Sequence, residues 1–185
     1  MKLYITFVLA SLFILSSCNS NTYEDPYLIT KNSIGQLTDS TQVSAIEMIF
    51  KNDSVVKFQK SNAAFGNLNS IELFEKGGEK LLDLSPRFPS DSTSTISTVR
   101  ILDERFATKK GITINSTFGD IEEAYKISKI SNLFKVLVVS VNAINASFTI
   151  DKSELPENMR YDMDLQIEAI QIPDNAKIKY FMIHW

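Results

Sequence analysis

The sequence predicts an α+β protein, with two similar helix-plus-antiparallel-strand units, residues 28–103 and 104–185, forming a shared or extended sheet. Three observations predict it. A glycine followed at the same spacing by Ser-Thr occurs twice, as Gly35 with Ser40-Thr41 and as Gly111 with Ser116-Thr117, and Ile46-Glu47 with Phe50 answers to Ile121-Glu122 with Tyr125. Self-similarity of this kind marks a repeated supersecondary unit. Each Ser-Thr pair precedes apolar residues at helical spacing, Val43, Ile46, Ile49 and Phe50 in one copy and Phe118, Ile121 and Tyr125 in the other. Short β-branched and aromatic runs then follow each helical stretch, which is the pattern of strands.

The first element is a leader. Lys2 is followed by the uncharged, mainly apolar run Leu3 to Leu15, 13 residues long. That length suits a secretory h-region and falls short of the roughly 20 residues that span a bilayer as a helix. Leu15-Ser16-Ser17-Cys18 then resembles the lipobox of bacterial lipoproteins, in which the peptide is cut before the cysteine and the cysteine is acylated. Residues 1–17 are therefore expected to be removed and Cys18, the single cysteine of the chain, to carry lipid. Two or more acyl chains make a stable anchor where one does not. Residues 18–27, mostly Asn, Ser, Thr, Glu and Asp, read as a tether with a reach of roughly 30 Å when extended.

Within the first unit the Ser-Thr hydroxyls offer an N-cap to a helix at 41–51. Strands are expected at Ser54 to Phe58, Ile71 to Glu75, Lys80 to Leu84 and Ile96 to Leu102. Gly77-Gly78 joins the second and third as a hairpin, because both residues can take positive φ. Gln59 to Asn69 is a small-residue, Asn-rich loop, and Ser85 to Thr95, with two prolines, reads as a surface linker. The second unit repeats the order, with a helix at 117–126 and strands at Ile127 to Ile130, Val136 to Val141, Ala146 to Ile150, Gln166 to Ile172 and Lys177 to Trp185. In the last of these, Ile178, Tyr180 and Met182 alternate with Lys177 and Lys179 as in a half-buried strand. Both helices are short and need a sheet to pack against.

The chain of 185 residues is long enough for one ordinary domain or two small halves sharing a core. Its formal charge of −3 becomes one unit more negative once Lys2 leaves with the leader. A nucleic-acid partner held through phosphates is therefore not expected. With Cys18 acylated no thiol remains for a disulfide or a thiolate zinc site.

Ser33-Ile34-Gly35, Thr108-Lys109-Lys110-Gly111-Ile112 with Ser116-Thr117, and the ending Ile172-Pro173-Asp174-Asn175-Ala176-Lys177-Ile178 resemble small Bacteroidota lipoproteins that carry a domain of unknown function. The resemblance covers most of the mature chain and brings no catalytic residues to transfer. A looser similarity of layout is shared with envelope lipoproteins of the outer-membrane assembly type and with secreted protein inhibitors, and layout does not fix function. Glu24 and Asp25 are the only acidic residues near Cys18. Some surface-exported lipoproteins of Bacteroidota have an acidic cluster directly after the cysteine, so the expected location is the outer membrane facing the periplasm, with the cell surface as the alternative.

The polar residues that could form a site also have plainer roles. His184 is the single histidine, and a triad or a histidine metal site needs partners held in geometry, so a surface or packing role is expected. Asp151, Glu154, Glu157, Asp162, Asp164 and Glu168 are numerous enough to gather calcium, yet they lack the glycine and spacing of a calcium loop and read as a solvated face. Asp103-Glu104-Arg105 reads as a charged turn, although the separation of any carboxylate pair is invisible in sequence. Asp39-Ser40-Thr41, Asp53-Ser54-Val55 and Asp91-Ser92-Thr93 resemble the O-glycosylation signal of Bacteroidota, and Ser92, in the linker, is the accessible acceptor among them. No cofactor is expected. The functional expectation is a non-enzymatic envelope module that contacts the membrane through Cys18 and binds a protein or other envelope component; the alternative is a carboxylate-based hydrolase or small-ligand receptor.

Overall fold

A computed structural model of the protein describes residues 25–57 and 70–185. The leader, Cys18, the tether up to residue 24 and the loop at 58–69 lie outside the described residues. The elements run β1 (Leu28–Ile29), β2 (Ser33–Ile34), β3 (Leu37–Thr38), α1 (Ile46–Ile49), β4 (Ser54–Lys57), β5 (Ile71–Phe74), β6 (Lys80–Pro86), β7 (Ile96–Ile101), β8 (Ala107–Thr108), α2 (Phe118–Ala124), β9 (Lys129–Asn132), β10 (Val136–Val141), β11 (Ala146–Asp151) and β12 (Ile178–His184). Short 3-10 turns precede α1 and fill the segment between β11 and β12.

Eight strands form one antiparallel sheet in the order β4-β5-β6-β7-β12-β11-β10-β9. Each half is a meander, and the two meet where β7 pairs with β12, Phe181 opposite Ile101 and Ile183 opposite Val99. Alternation, interrupted by register shifts between β5 and β6, β6 and β7, and β11 and β12, gives this sheet an apolar inner face. Ile71, Leu73, Leu82, Leu84, Val99, Ile101, Leu137, Val139, Phe148, Phe181 and Ile183 are buried on its inner face, as expected for antiparallel strands half exposed to water. Phe148 and Phe181 stack there with centroids 4.6 Å apart. Ile29, Ile34 and Leu37 of the first strands, Ile46 of α1, and Phe118 and Ile121 of α2 complete the same core. The first strands make a second, four-stranded sheet, β3-β2-β1-β8, in which β1 and β8 are parallel.

The large sheet has two distinct ends. Turns 75–79, 102–105 and 133–135 lie at one end, together with the junction after β11. Connections 87–95 and 142–145 and residue Trp185 lie at the other, as the pairing registers require. The described chain begins at the first end. Tyr27 packs edge-on against Phe106 at 5.1 Å and the Arg105 guanidinium sits 4.8 Å above its ring. β1 then runs toward the second end, where the Trp185 indole donates to the Lys31 carbonyl at 3.1 Å.

Several sequence expectations need correction. The helix expected at 41–51 is a 3-10 turn, Val43–Ala45, followed by a single α-turn, with no side-chain cap. Thr41 is buried instead, and its Oγ1 accepts the Thr38 N–H at 2.9 Å. The expected strand at Gln166 to Ile172 contains a 3-10 turn, Ala169–Gln171, because Glu168 and Gln171 cap each other's backbone. Tyr27, the last residue of the expected tether, packs against Phe106. Ser85 and Pro86 belong to β6 rather than to the linker. A register shift between Thr149 and Ile150 also breaks the alternation of β12, so that Ile178 points inward while Tyr180 and Met182 face outward with His184. The units at 28–103 and 104–185 are bonded to each other through β1–β8 as well as β7–β12. The architecture is α+β with sheet predominant.

Candidate functional site

The outer face of the eight-stranded sheet is mainly polar and part-exposed, with Ser147 and Thr149 buried among its side chains. Val56, Glu72, Asp83, Arg100, Met182, Ser147, Ser140 and Lys129 stand opposite one another along a row that crosses all eight strands. Its two halves differ chemically. On the β5–β7 side Lys80 pairs with Glu72 and, at 2.7 Å, with Asp83. Burial works against the charge of Lys80, but hydrogen bonds to Asp83 and Glu72 outweigh it and hold the ammonium above its ordinary pKa. On the β10–β12 side the face is neutral, with Ser140, Ser147, Thr149, Met182 and Tyr180.

Arg100 sits at the boundary between them, on central strand β7. Its guanidinium carbon lies 4.2 Å from the Tyr180 ring centroid, while its approach to Asp83 is a long 3.9 Å. Its Nε, shielded from solvent, has no hydrogen-bond acceptor among the described residues. A guanidinium stacked on an aromatic ring is held in place with donors to spare. Sequence reading missed this pair. The alternation of Tyr180 and Met182 with inward Phe181 and Ile183 offered a signal, but grouping Ile178 with Tyr180 and Met182 hid it, because the register shift moves Ile178 to the inner face.

His184 is on the same face. Its Nε2 lies 2.7 Å from Ser147 Oγ and its Nδ1 3.5 Å from Thr98 Oγ1, at the edge of a shallow concavity of about 480 Å³ lined also by Val138, Asn142, Asn145 and Trp185. Desolvation pushes the imidazole below its ordinary pKa, so the ring is neutral near pH 7. A hydroxyl–imidazole–hydroxyl chain lacks the carboxylate that orients the imidazole of a hydrolytic triad. It can donate to and accept from a polar ligand.

The carboxylates singled out by sequence do not converge. Asp151 pairs with Lys179 at 2.7 Å and also accepts from Ser153, and these hydrogen bonds hold its carboxyl down at about 2. Asp162 accepts the N–H groups of Asp164 and Leu165, Glu154 accepts from Lys177 N–H at 3.3 Å, and Glu168 caps its own turn. Glu157 and Asp164 are exposed. Among the described residues no three His, Cys, Asp or Glu side chains are grouped to hold a metal. At Asp103-Glu104-Arg105, the arginine is a hub that bonds Asp103 and both oxygens of Glu75 while covering Tyr27. Glu104 accepts from the Asn115 amide. Ser92 is exposed in a turn that Asp91 holds by accepting from Thr93, but Ser40 and Ser54 are exposed as well, so exposure does not single Ser92 out. No described helix is long and apolar enough to cross a membrane.

No family model matches the chain, and a search of curated proteins finds no match. The fold is shared with solved structures. The crystal structure of the uncharacterized protein yfeY from Escherichia coli superimposes with a TM-score of 0.54, covering 85% of this chain and 99% of that one at 16% sequence identity.

Proposed function

We propose that the protein is an envelope lipoprotein, anchored through Cys18 after loss of residues 1–17, whose globular part is a non-enzymatic binding module. The outer membrane, facing the periplasm, is the proposed location. The recognition surface is the open face of the large sheet, and the observation that carries it is Arg100, stacked on Tyr180 at the centre of that face with an unsatisfied Nε. Arginine and tyrosine, central and partly desolvated, are the residue types that dominate protein–protein binding energy. The mixed ionic and neutral surface around them favours a protein partner over nucleic acid.

The two halves are read as copies of one unit. The palindromic strand order supports this, as do two isolated backbone bridges, Gln42 with Thr95 and Thr117 with Lys177, each tying the residue at the start of a helical turn to the residue before the last strand of its half. Gly35 and Gly111 count against it, since Gly111 lies in the turn after β8 with open space around it whereas Gly35 joins β2 to β3 against Pro26.

A photo-crosslinking residue at Met182 tests the binding reading in intact membranes. One discrete protein adduct is expected, lost in Arg100→Ala and Tyr180→Ala and absent with the crosslinker at Lys51. Equal adducts at both positions would remove the assignment. Cys18→Ser tests the anchor separately, and should abolish lipid labelling and release the protein from membranes.

A further inference from the structure

Four large apolar side chains stand in solvent at one end of the sheet: Leu133 is 47% exposed, Phe134 73%, Tyr161 86% and Met163 46%. They come from two segments that are tied together. The Asn132 side-chain amide donates to the carbonyls of Asp162 at 3.0 Å and Leu165 at 2.9 Å, which pins the 156–165 segment to the β9–β10 turn. Leu155 and Met159 root that segment in the core. Beneath the patch Lys152, only 4% exposed, places its ammonium 4.0 Å from the Met163 sulfur. The apolar tips are thus held outward by packing and hydrogen bonds. Isolated exposed apolar residues need no explanation, but a clustered set on anchored loops marks a contact surface.

The position of the patch indicates what it contacts. Turn 133–135 lies at the same end of the sheet as turns 75–79 and 102–105, and Tyr27, where the tether meets the domain, packs on Arg105 and Phe106 at that end. We propose that Leu133, Phe134, Tyr161 and Met163 rest in the headgroup–acyl boundary of the membrane that carries the anchor, setting this end of the domain down on the lipid. The inference rests on the acylation of Cys18 proposed above. Tethering makes the second contact effectively intramolecular, so a small apolar insertion is enough to hold the orientation. Charge does not drive it. Lys135 and Arg160 are offset by Glu157, Asp162 and Asp164 around the patch, so the contact does not depend on anionic lipid and resists salt. In this orientation the Arg100–Tyr180 face stands upright from the surface and remains open to a partner.

The test uses the full lipidated chain in vesicles of phosphatidylethanolamine and phosphatidylglycerol. Because acylated Cys18 has no thiol, Phe134→Cys, Tyr161→Cys and, at the opposite end, Ala143→Cys can each be labelled with an environment-sensitive fluorophore. Spin-labelled lipid should quench about half or more of the emission at 134 and 161 and less than about a tenth at 143, in keeping with an interfacial depth of about 5–10 Å. High salt should leave the pattern unchanged. Protein that sediments with the vesicles yet shows no more quenching at 134 and 161 than at 143 overturns the docking while leaving the anchor intact. Protein whose mass shows no acyl chain overturns the anchor, and the docking with it.

Discussion

At Gly35 the backbone has φ +53°, and an added Cβ would stand 2.0 Å from the Pro26 carbonyl oxygen. The Gly35 N–H meanwhile donates to the Leu28 carbonyl at 2.9 Å, which closes the first hairpin over the point where the chain enters the fold. Gly111 has φ +79° with open space around it. Gly35→Ala should therefore cost about 3 kcal/mol, strain plus displacement of Pro26, whereas Gly111→Ala should cost about 1 kcal/mol from the left-handed conformation alone. Urea unfolding of the two variants checks this, and equal losses would contradict the packing argument. His184 supplies a pH dependence. Desolvation lowers its folded pKa, so folding favours the neutral ring. The associated stability is complete above the unfolded value of about 6.5 and is lost as pH falls toward the folded value. Melting temperatures between pH 7 and 5 should fall more steeply for the native chain than for His184→Gln, and parallel curves would argue against it.

The two helices differ because their caps differ. Thr117 accepts the Asp120 N–H while Asp120 accepts the Thr117 N–H at 2.7 Å, a complete capping box, and α2 extends from it to Ala124. Lys110 donates to the carbonyl of Ala124 at the other end and lies over Tyr125. Thr117→Ala should cost about 1 kcal/mol, measurable by denaturation. Ser40→Ala, in the Ser-Thr pair before α1, should be close to neutral, because that hydroxyl is exposed and its bond is to Thr38 Oγ1. Thr117 was legible as a cap, and Gly77-Gly78 as a turn, with φ values of +126° and +131°. Segment 166–172 was not legible. Its alternation resembled a strand, but Ile170 is 90% exposed, and the side chains of Glu168 and Gln171 satisfy the backbone locally, where a ladder would have needed a partner strand.

For the molecule as a whole, the antiparallel seam of β7 and β12 lies at the centre of the sheet, and the parallel pair β1–β8 crosses between the same halves. Separating residues 104–185 would expose the inner faces of Phe181 and Ile183 and leave β12 as an open edge. That fragment alone should show no cooperative unfolding transition by circular dichroism. A sharp transition would mean that the halves are independent domains, contrary to the single core.

The amino-acid order was sufficient for what depends on neighbours along the chain. It reveals the meanders from alternation, the glycine turn and the Thr117 cap, all set by local backbone chemistry, along with the lipobox resemblance at Cys18. Tertiary structure decided what depends on contacts between distant residues. The slip between Thr149 and Ile150 turned Ile178 inward, off the face of Tyr180 and Met182, and the β7–β12 pairing set Tyr180 against Arg100 from the other half. Pairing β7 with β12 joined two small sheets into one open face. Asn132 carried the 156–165 segment to the β9–β10 turn. Each is a pairing between residues far apart in sequence, selected by how the strands bury a common apolar face, and local propensity carries no record of it.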